Sequence, residues 1–337
     1  MAKKKKKTSK KMTSQKKSKT LRKAKVNPHR LAAIDIGSNA IRMVIAEHHT
    51  GGLKILKKFR FPIRLGADVF SKGQISGKNL KLSARTFRQF KQLSEKFKVS
   101  KLKAVATSAL REAKNKKAYI DLIERKSNIR IELIDGVEEA RVIYQAVKRE
   151  VALENSYALL IDVGGGSVEL TFSDKAFMSS TQSFPFGTVR TLEYLKTKKL
   201  TEKDLPRIAT DFLKPLTHFL QAHGPDRLDF AVGTGGNLET LGKLKPLLIG
   251  GNVKTWLSQT ELQLMIERLS QMSLEDRVKK LNLRPDRADV IIPASWVVLT
   301  VMRQAQVEKV LIPHVGLKDG VLWSLAQETS YLTKALG

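Results

Sequence analysis

Two short loops, Asp35-Ile36-Gly37-Ser38-Asn39 and Asp162-Val163-Gly164-Gly165-Gly166-Ser167, lie roughly 130 residues apart, each at the end of an apolar run. The runs, Leu31-Ala32-Ala33-Ile34 and Ala158-Leu159-Leu160-Ile161, read as short buried strands. A strand that ends in Asp followed by Gly turns bare backbone amides toward a ligand with no Cβ in the way. Hydroxyls from Ser38 and Ser167 add donors, and the carboxylates can hold a hydrated cation beside a bound anion. Two such loops at domain spacing point to two lobes clamping a phosphate chain.

The length of 337 residues suits two domains, and a hydrophobic content of 42% supports a folded body. No apolar run reaches the roughly 18 residues of a membrane span. The longest, Val290 to Met302, contains Pro293 and reads as a buried helix. The start of the chain lacks the apolar stretch of a secretory signal. Zero cysteines exclude a disulfide framework and thiolate metal sites. A cytoplasmic protein without a membrane partner is expected.

The net charge of +30 is unevenly placed: residues 1–30 hold 14 Lys or Arg and no acid, leaving +16 for the rest. That opening stretch has almost nothing to bury and is expected to be a disordered basic tail. It is either a solvated aid to solubility or a flexible polycation that gathers polyanions. The remaining excess points to an anionic substrate or partner.

Periodicity predicts strands over Leu31–Ile36, Ala40–Glu47 and Leu53–Phe61, with a turn at His48 to Gly52, to whose histidines no role is given. A helix over Leu80–Phe97, a strand over Leu102–Thr107, helices from Ser108 and over Tyr119–Lys126, a strand over Arg130–Ile134 and a helix over Glu138–Glu150 follow. The pattern then restarts with strands at Ala158–Ile161, Val168–Phe172 and Ala176–Ser183. Helices at Val189–Lys196 and Pro206–Ala222 and a strand at Leu228–Val232 come next. A helix from Asn237, helices at Gln259–Met272 and Ala288–Ala305, a strand at Lys309–Ile312 and a helix at Asp319–Glu328 complete it. Two halves that each open strand-loop-strand-strand predict an internally duplicated α/β protein.

Five motifs occur in order: the Asp35 loop, Thr107-Ser108-Ala109-Leu110-Arg111-Glu112-Ala113, Gly136-Val137-Glu138-Glu139-Ala140-Arg141, Asp162 through Val168-Glu169, and Gly233-Thr234-Gly235-Gly236. In this the sequence resembles the Ppx/GppA family of exopolyphosphatases and guanosine pentaphosphate phosphatases, from residue 31 to about residue 330. The resemblance implies a duplicated ribonuclease-H-like fold, as in actin, sugar kinases and heat-shock ATPases, with two lobes around a cleft. Lobe I would span 31–138, completed by the C-terminal helix 319–337, and lobe II 139–318.

Hydrolysis of a terminal phosphoanhydride needs an aimed water, a proton acceptor, and donors for the equatorial oxygens. The family's base maps onto Glu139, which is otherwise an ordinary first-turn acid favoured by the helix dipole. Arg111 stands where the family has a phosphate-contacting arginine, able to fork two oxygens. Asp35 and Asp162 are the expected ligands of Mg²⁺ (or Mn²⁺). Glu169 either completes that cation site, positions water, or is a plain surface acid. Gly37, Ser38, Asn39, Gly164, Gly165, Gly166 and Ser167 are expected on phosphate, with Gly235 and Gly236 at a helix start on more distal phosphates.

Lys318, in Pro313-His314-Val315-Gly316-Leu317-Lys318-Asp319-Gly320, matches the family's terminal glycine-leucine-arginine segment and keeps the charge without the bidentate fork. His314 beside it either touches phosphate or is structural. Ala40 and Val168 stand where many members carry a hydroxyl, each expected to weaken phosphate contact by on the order of 1 kcal/mol. Longer members append a helical domain after the second lobe, which this sequence is not expected to have. The resemblance implies an exopolyphosphatase acting on linear polyphosphate, toward which the excess positive charge tilts, or a phosphohydrolase of guanosine pentaphosphate (pppGpp). From another class, a non-catalytic binder of polyphosphate or nucleic acid fits the tail. Family members are often homodimers.

Overall fold

Alternate residues of one strand feed two different cores, and this sets the layering of the molecule. The computed structural model describes residues 29–49, 52–212, 214–225, 227–250 and 255–335. The basic tail expected over 1–30 lies outside them except for its last two residues, which already belong to a strand.

The first half opens with β1 (His29–Ile36), β2 (Ile41–His49) and β3 (Gly52–Phe61), then α1 (Leu65–Lys72), α2 (Gly77–Lys96) and β4 (Lys101–Ala106). It continues with α3 (Ser108–Glu112), α4 (Lys116–Ser127), β5 (Ile131–Leu133) and α5 (Gly136–Val147). The sheet order is β3-β2-β1-β4-β5, with β1 to β3 antiparallel and β4 and β5 parallel to β1.

The second half repeats the scheme with β6 (Tyr157–Val163), β7 (Val168–Asp174) and β8 (Phe177–Phe184). After α6 (Thr188–Lys198), α7 (Leu205–Phe212) and α8 (Lys214–His223) come β9 (Phe230–Thr234), α9 (Gly236–Ile249) and β10 (Trp256–Ser258). The rest is α10 (Gln259–Ser270), α11 (Leu274–Lys279), α12 (Pro285–Ala288), α13 (Ile291–Gln304), β11 (Lys309–Leu311) and α14 (Leu317–Ala335). Its sheet order is β10-β11-β9-β6-β7-β8. Strands β6, β7, β8, β9 and β11 reproduce the directions of β1 to β5, so the duplicated actin-like α/β fold is present, with β10 added antiparallel at one edge.

Side chains on a strand point alternately to opposite faces. Ala32, Ile34 and Ile36 of β1 therefore join an outer core with Phe87 and Phe90 of α2, while Leu31 and Ala33 turn inward. Leu159 and Ile161 of β6 join the outer core of the second sheet, and Ala158 and Leu160 turn inward. A strand covered on both faces reads as a continuous apolar run, which is how the sequence presents both.

Between the two inward faces lie α5 and α14. Val142, Ile143 and Val147 of α5 meet Val321, Leu322 and Leu325 of α14 in a shared central layer. A Cβ on Gly320 would overlap the Val142 carbonyl, so the helices cross where that residue has no side chain. α14 also rests on β1, β2 and β4 of the first sheet.

Several expectations shift. His48 and His49 end β2 instead of forming a turn. Helices α1, α11 and α12 and strand β10 escape periodicity because they hold only three to eight residues. The helix read over Pro206–Ala222 is α7 and α8, with Pro215, which has no N–H to donate, in the first turn of α8. Among the described residues, no helix is long and apolar enough to cross a membrane.

Leu322 is almost fully buried at the meeting of both inward faces. Leu322→Ala is expected to lower unfolding stability by about 2–5 kcal/mol through lost burial and a residual cavity. A urea titration followed by far-UV circular dichroism checks this.

Candidate active site

The two glycine loops have the same internal turn. Gly37 N donates to the Ala40 carbonyl at 3.1 Å, and Gly164 N donates to the Ser167 carbonyl at 3.0 Å. They also abut. A Cβ on Gly166 would overlap Ser108 Oγ, the Phe70 ring and Ser38 Oγ, so this position has no room for a side chain. Ser38 Oγ and Ser108 Oγ are hydrogen-bonded at 2.9 Å. Both loops thereby reach one cleft of about 680 Å³, into which Gly37, Ser38, Gly164, Gly165 and Ser167 all face. Gly235 and Gly236, at the start of α9, and Lys318, at the start of α14, line the same cleft. Gly166 lies behind its wall, holding the loops together.

Acid groups gather at this place. Glu139 stands in the first turn of α5, whose N-cap Asp135 accepts from Glu138 N at 2.8 Å. Asp162 comes from β6, and Glu169 from the paired position of β7. Carboxylate oxygens of these three lie within 4.8 Å of one another. Glu169 accepts from Ser183 Oγ at 2.7 Å, and Asp162 accepts from Thr234 Oγ1. Glu139 Oε2 and Glu169 Oε2 are buried without a partner.

Charging such a group is costly. Burial, then the charges of Glu169, Asp162 and Asp35, pushes the Glu139 carboxyl well above its ordinary range, with Arg111 pulling it back. Burial and then Asp162 raise Glu169 to about 7, opposed by bonds from Ser183 and Ser167. Burial raises Asp162 to about 6, against its bond from Thr234. Three hard oxygen donors, two of them unsatisfied, fit a divalent cation, because its charge removes the cause of these shifts. Asp35 stands apart from this trio: its Oδ2 accepts from Arg42 Nη1 at 2.8 Å. Of the expected ligands, Asp162 and Glu169 belong to this trio, while Asp35 lines the same cleft outside it.

Cations ring the mouth, and most were not singled out from sequence. Arg42, Arg60, Arg284 and Arg287 line the cleft with Lys58. Arg287 donates to Asn237 Oδ1, while its Nε has no partner. Burial first, then Arg42, Arg60 and Arg284, drives Arg287 down to about 9, the mark of cations crowded without enough anion. Arg42 was legible only through register: it sits directly across β1–β2 from Asp35.

Other expected residues take different work. Asn39 reaches the cleft, but its amide bridges the halves: Nδ2 donates to the Asp286 carbonyl at 2.9 Å and Oδ1 accepts from Arg64 Nε at 2.7 Å. Arg64 continues to Asp289 at 2.6 Å, and Arg60 pairs with Asp286. Arg111 donates to the Ile134 carbonyl at 2.6 Å instead of lining the cleft, and acts on Glu139 and Glu169 by its charge. Ala40 and Val168 are fully buried, Val168 within the apolar core of the second sheet and Ala40 at the turn that closes the first glycine loop. His314 is exposed on a turn outside the cleft wall.

The sequence model of the Ppx/GppA phosphatase family matches residues 44–329. Exopolyphosphatase 1 of Mycobacterium tuberculosis (strain ATCC 25618 / H37Rv) is 26% identical over 302 residues, covering 87% of each chain. The crystal structure of the Aquifex aeolicus Ppx/GppA family member superposes with a TM-score of 0.74 at 26% identity, covering 90% of this chain and 99% of that one. An exopolyphosphatase from Cytophaga hutchinsonii shares the fold with a TM-score of 0.80 at 23% identity, covering 89% and 98%.

The raised carboxylates have a stability consequence. Between the unfolded values near 4 and the folded values near 6 and 7, the folded state holds more protons, so metal-free stability falls as pH rises through that window. Glu169→Gln is expected to flatten this decline, and a divalent cation is expected to bind more tightly as pH rises, releasing protons. Melting temperatures between pH 4 and pH 8, with chelator and with Mg²⁺, check both.

Proposed function

The chain belongs to the Ppx/GppA phosphatase family, and on that premise we propose that it is a cytoplasmic exopolyphosphatase, removing orthophosphate from the end of linear inorganic polyphosphate. One observation carries the reading: a buried carboxylate with a free oxygen, Glu139, at a cleft whose other walls are glycine loops and arginines. Relatives named exopolyphosphatase point the same way.

In this reading the terminal phosphoryl group lies between the two loops, with Gly37, Ser38 and Asn39 on one side and Gly164, Gly165 and Ser167 on the other. Glu139 accepts a proton from water as the water oxygen bonds to phosphorus. The bridging P–O bond breaks, and the shortened chain leaves with its oxygen protonated from solvent. Arg111 supports the ionised form of Glu139 by its charge, and Ser183 and Ser167 do the same for Glu169. Asp162 and Glu169 are the residues that would hold Mg²⁺, which supplies charge neutralisation on the phosphate oxygens. Arg42, Arg60, Arg284, Arg287 and Lys318 bind the phosphates further along the chain.

A second reading is hydrolysis of pppGpp, another terminal phosphoanhydride. The observation that favours it is an apolar ledge in the same cleft, formed by Leu244 and Leu247 in the later turns of α9 with Leu281 and Leu283 after α11. A nucleobase can cover that ledge, and polyphosphate has nothing to place there. Phosphate release by purified protein from polyphosphate and from pppGpp decides the order. Faster turnover of polyphosphate is expected, and equal or faster turnover of pppGpp reverses it.

Glu139→Gln is nearly isosteric and cannot accept the proton. It is expected to lower kcat by about 10²–10⁴-fold while leaving polyphosphate affinity within about twofold, since phosphate recognition lies in the loops and arginines. Loss of binding together with turnover would instead make Glu139 a structural group.

A further inference from the structure

The positive charge of the folded chain is concentrated in its first half. Residues 31–138 hold 23 Lys or Arg against 10 Asp or Glu, a net +13, whereas residues 139–337 hold 25 against 22, a net +3. Helix α2 carries a dense part of the excess. Its inner face, with Ala84, Phe87 and Phe90, is buried in the outer core. Its outer face presents Lys78, Lys81, Arg85, Arg88 and Lys96, all exposed. At 3.6 residues and 5.4 Å per turn, these five fall in a stripe about 80° wide and about 27 Å long. The one acid of the helix, Glu95, stands in its last turn. Among the described residues, none of the five is ion-paired; the pairs nearby join Lys117 to Asp121 and Arg130 to Glu124.

Both ends of the stripe are placed. At its C-terminal end, Arg30 Nη1 donates to the Phe97 carbonyl at 3.0 Å, so the Lys-rich segment joins the fold there. At its N-terminal end, Asp68 of α1 accepts from Ser76 N at 2.9 Å and from Asn79 Nδ2 at 2.7 Å. α1 in turn rests on the first glycine loop, with Gly66 N donating to the Ser38 carbonyl at 2.8 Å. The stripe therefore runs from the cleft side of the first sheet to the entry of the basic segment.

Like charges at helical spacing repel one another and give nothing to the fold. A line of cations instead neutralises a line of phosphates and releases their counterions. Readers of single-stranded nucleic acid add exposed aromatic rings for base stacking, and this face has none, since Phe87 and Phe90 point into the core. A polymer that is phosphate alone needs only the cations. We propose that the outer face of α2 is an accessory docking surface for the distal stretch of long inorganic polyphosphate. The identity of the polymer rests on the exopolyphosphatase reading; the surface itself does not.

The test is the full-length triple variant Lys81→Gln, Arg85→Gln and Arg88→Gln, which touches neither the cleft nor the core. Binding is titrated with long-chain polyphosphate, tripolyphosphate and duplex DNA across a salt series, in the parent and in a Glu139→Gln background that does not turn over. An unchanged melting temperature verifies folding. The expected result is about a tenfold weaker Kd for the long chain at low salt, with the slope of log K against log salt shallower by about two. KM for the long chain rises with kcat unchanged, and tripolyphosphate is unaffected. Unchanged long-chain affinity, an equal loss for tripolyphosphate, or a loss confined to DNA each overturns the proposal. If the parent releases no phosphate from polyphosphate, the cleft reading fails while the titration still decides the surface.

Discussion

Three carboxylates held within 4.8 Å, two of them almost out of reach of water, are the arrangement around which the rest of this molecule is organised. Left alone, such a group resists ionisation and destabilises the fold at neutral pH. Each neighbour answers that cost in part. Thr234 and Ser183 donate to two of the acids, Arg111 acts from behind, and the cation ring at the mouth balances the field from in front. The two sets of opposite charge are not paired with each other. Arg287 is crowded by Arg42, Arg60 and Arg284, and the acids are crowded among themselves.

Duplication explains how one chain builds such a place. Each half offers a strand that ends beside its glycine loop, and each loop closes with the same backbone turn. Setting the two ends face to face brings the loops into contact only because Gly166 has no side chain. The halves then differentiate. The first supplies Arg42 beside Asp35, while the second supplies Asp162 and Glu169 on adjacent strands. Asn39, Arg64 and Arg60 of the first half hold the Asp286 to Asp289 segment of the second, so the clasp is also asymmetric.

The strands and loops were legible in the sequence because their signals are local: an apolar run, then Asp and Gly. Glu139, Asp162 and Glu169 could be named for the same reason, since each belongs to a short contiguous motif. What sequence could not supply was partnership. Asn39 looks like a phosphate donor until Arg64 and the Asp286 carbonyl, 25 and 247 residues away, occupy its amide. Arg287 is an unremarkable residue after a proline until folding brings it to Asn237 and three other arginines. Val168 departs from the common residue at its position, yet its side chain faces the core, where that difference has no bearing on phosphate.

The packing of α14 also has a bearing on how the chain is made. The inward side of β1 is covered by a helix that begins at Leu317, near the opposite terminus. Strand β1 thus leaves the ribosome about 280 residues before its cover. The second sheet draws its strands and outer helices from a continuous stretch of chain, so it can close during synthesis. Leu31 and Ala33 must wait, and that interval is when a chaperone would find the greasy side of the nascent sheet uncovered.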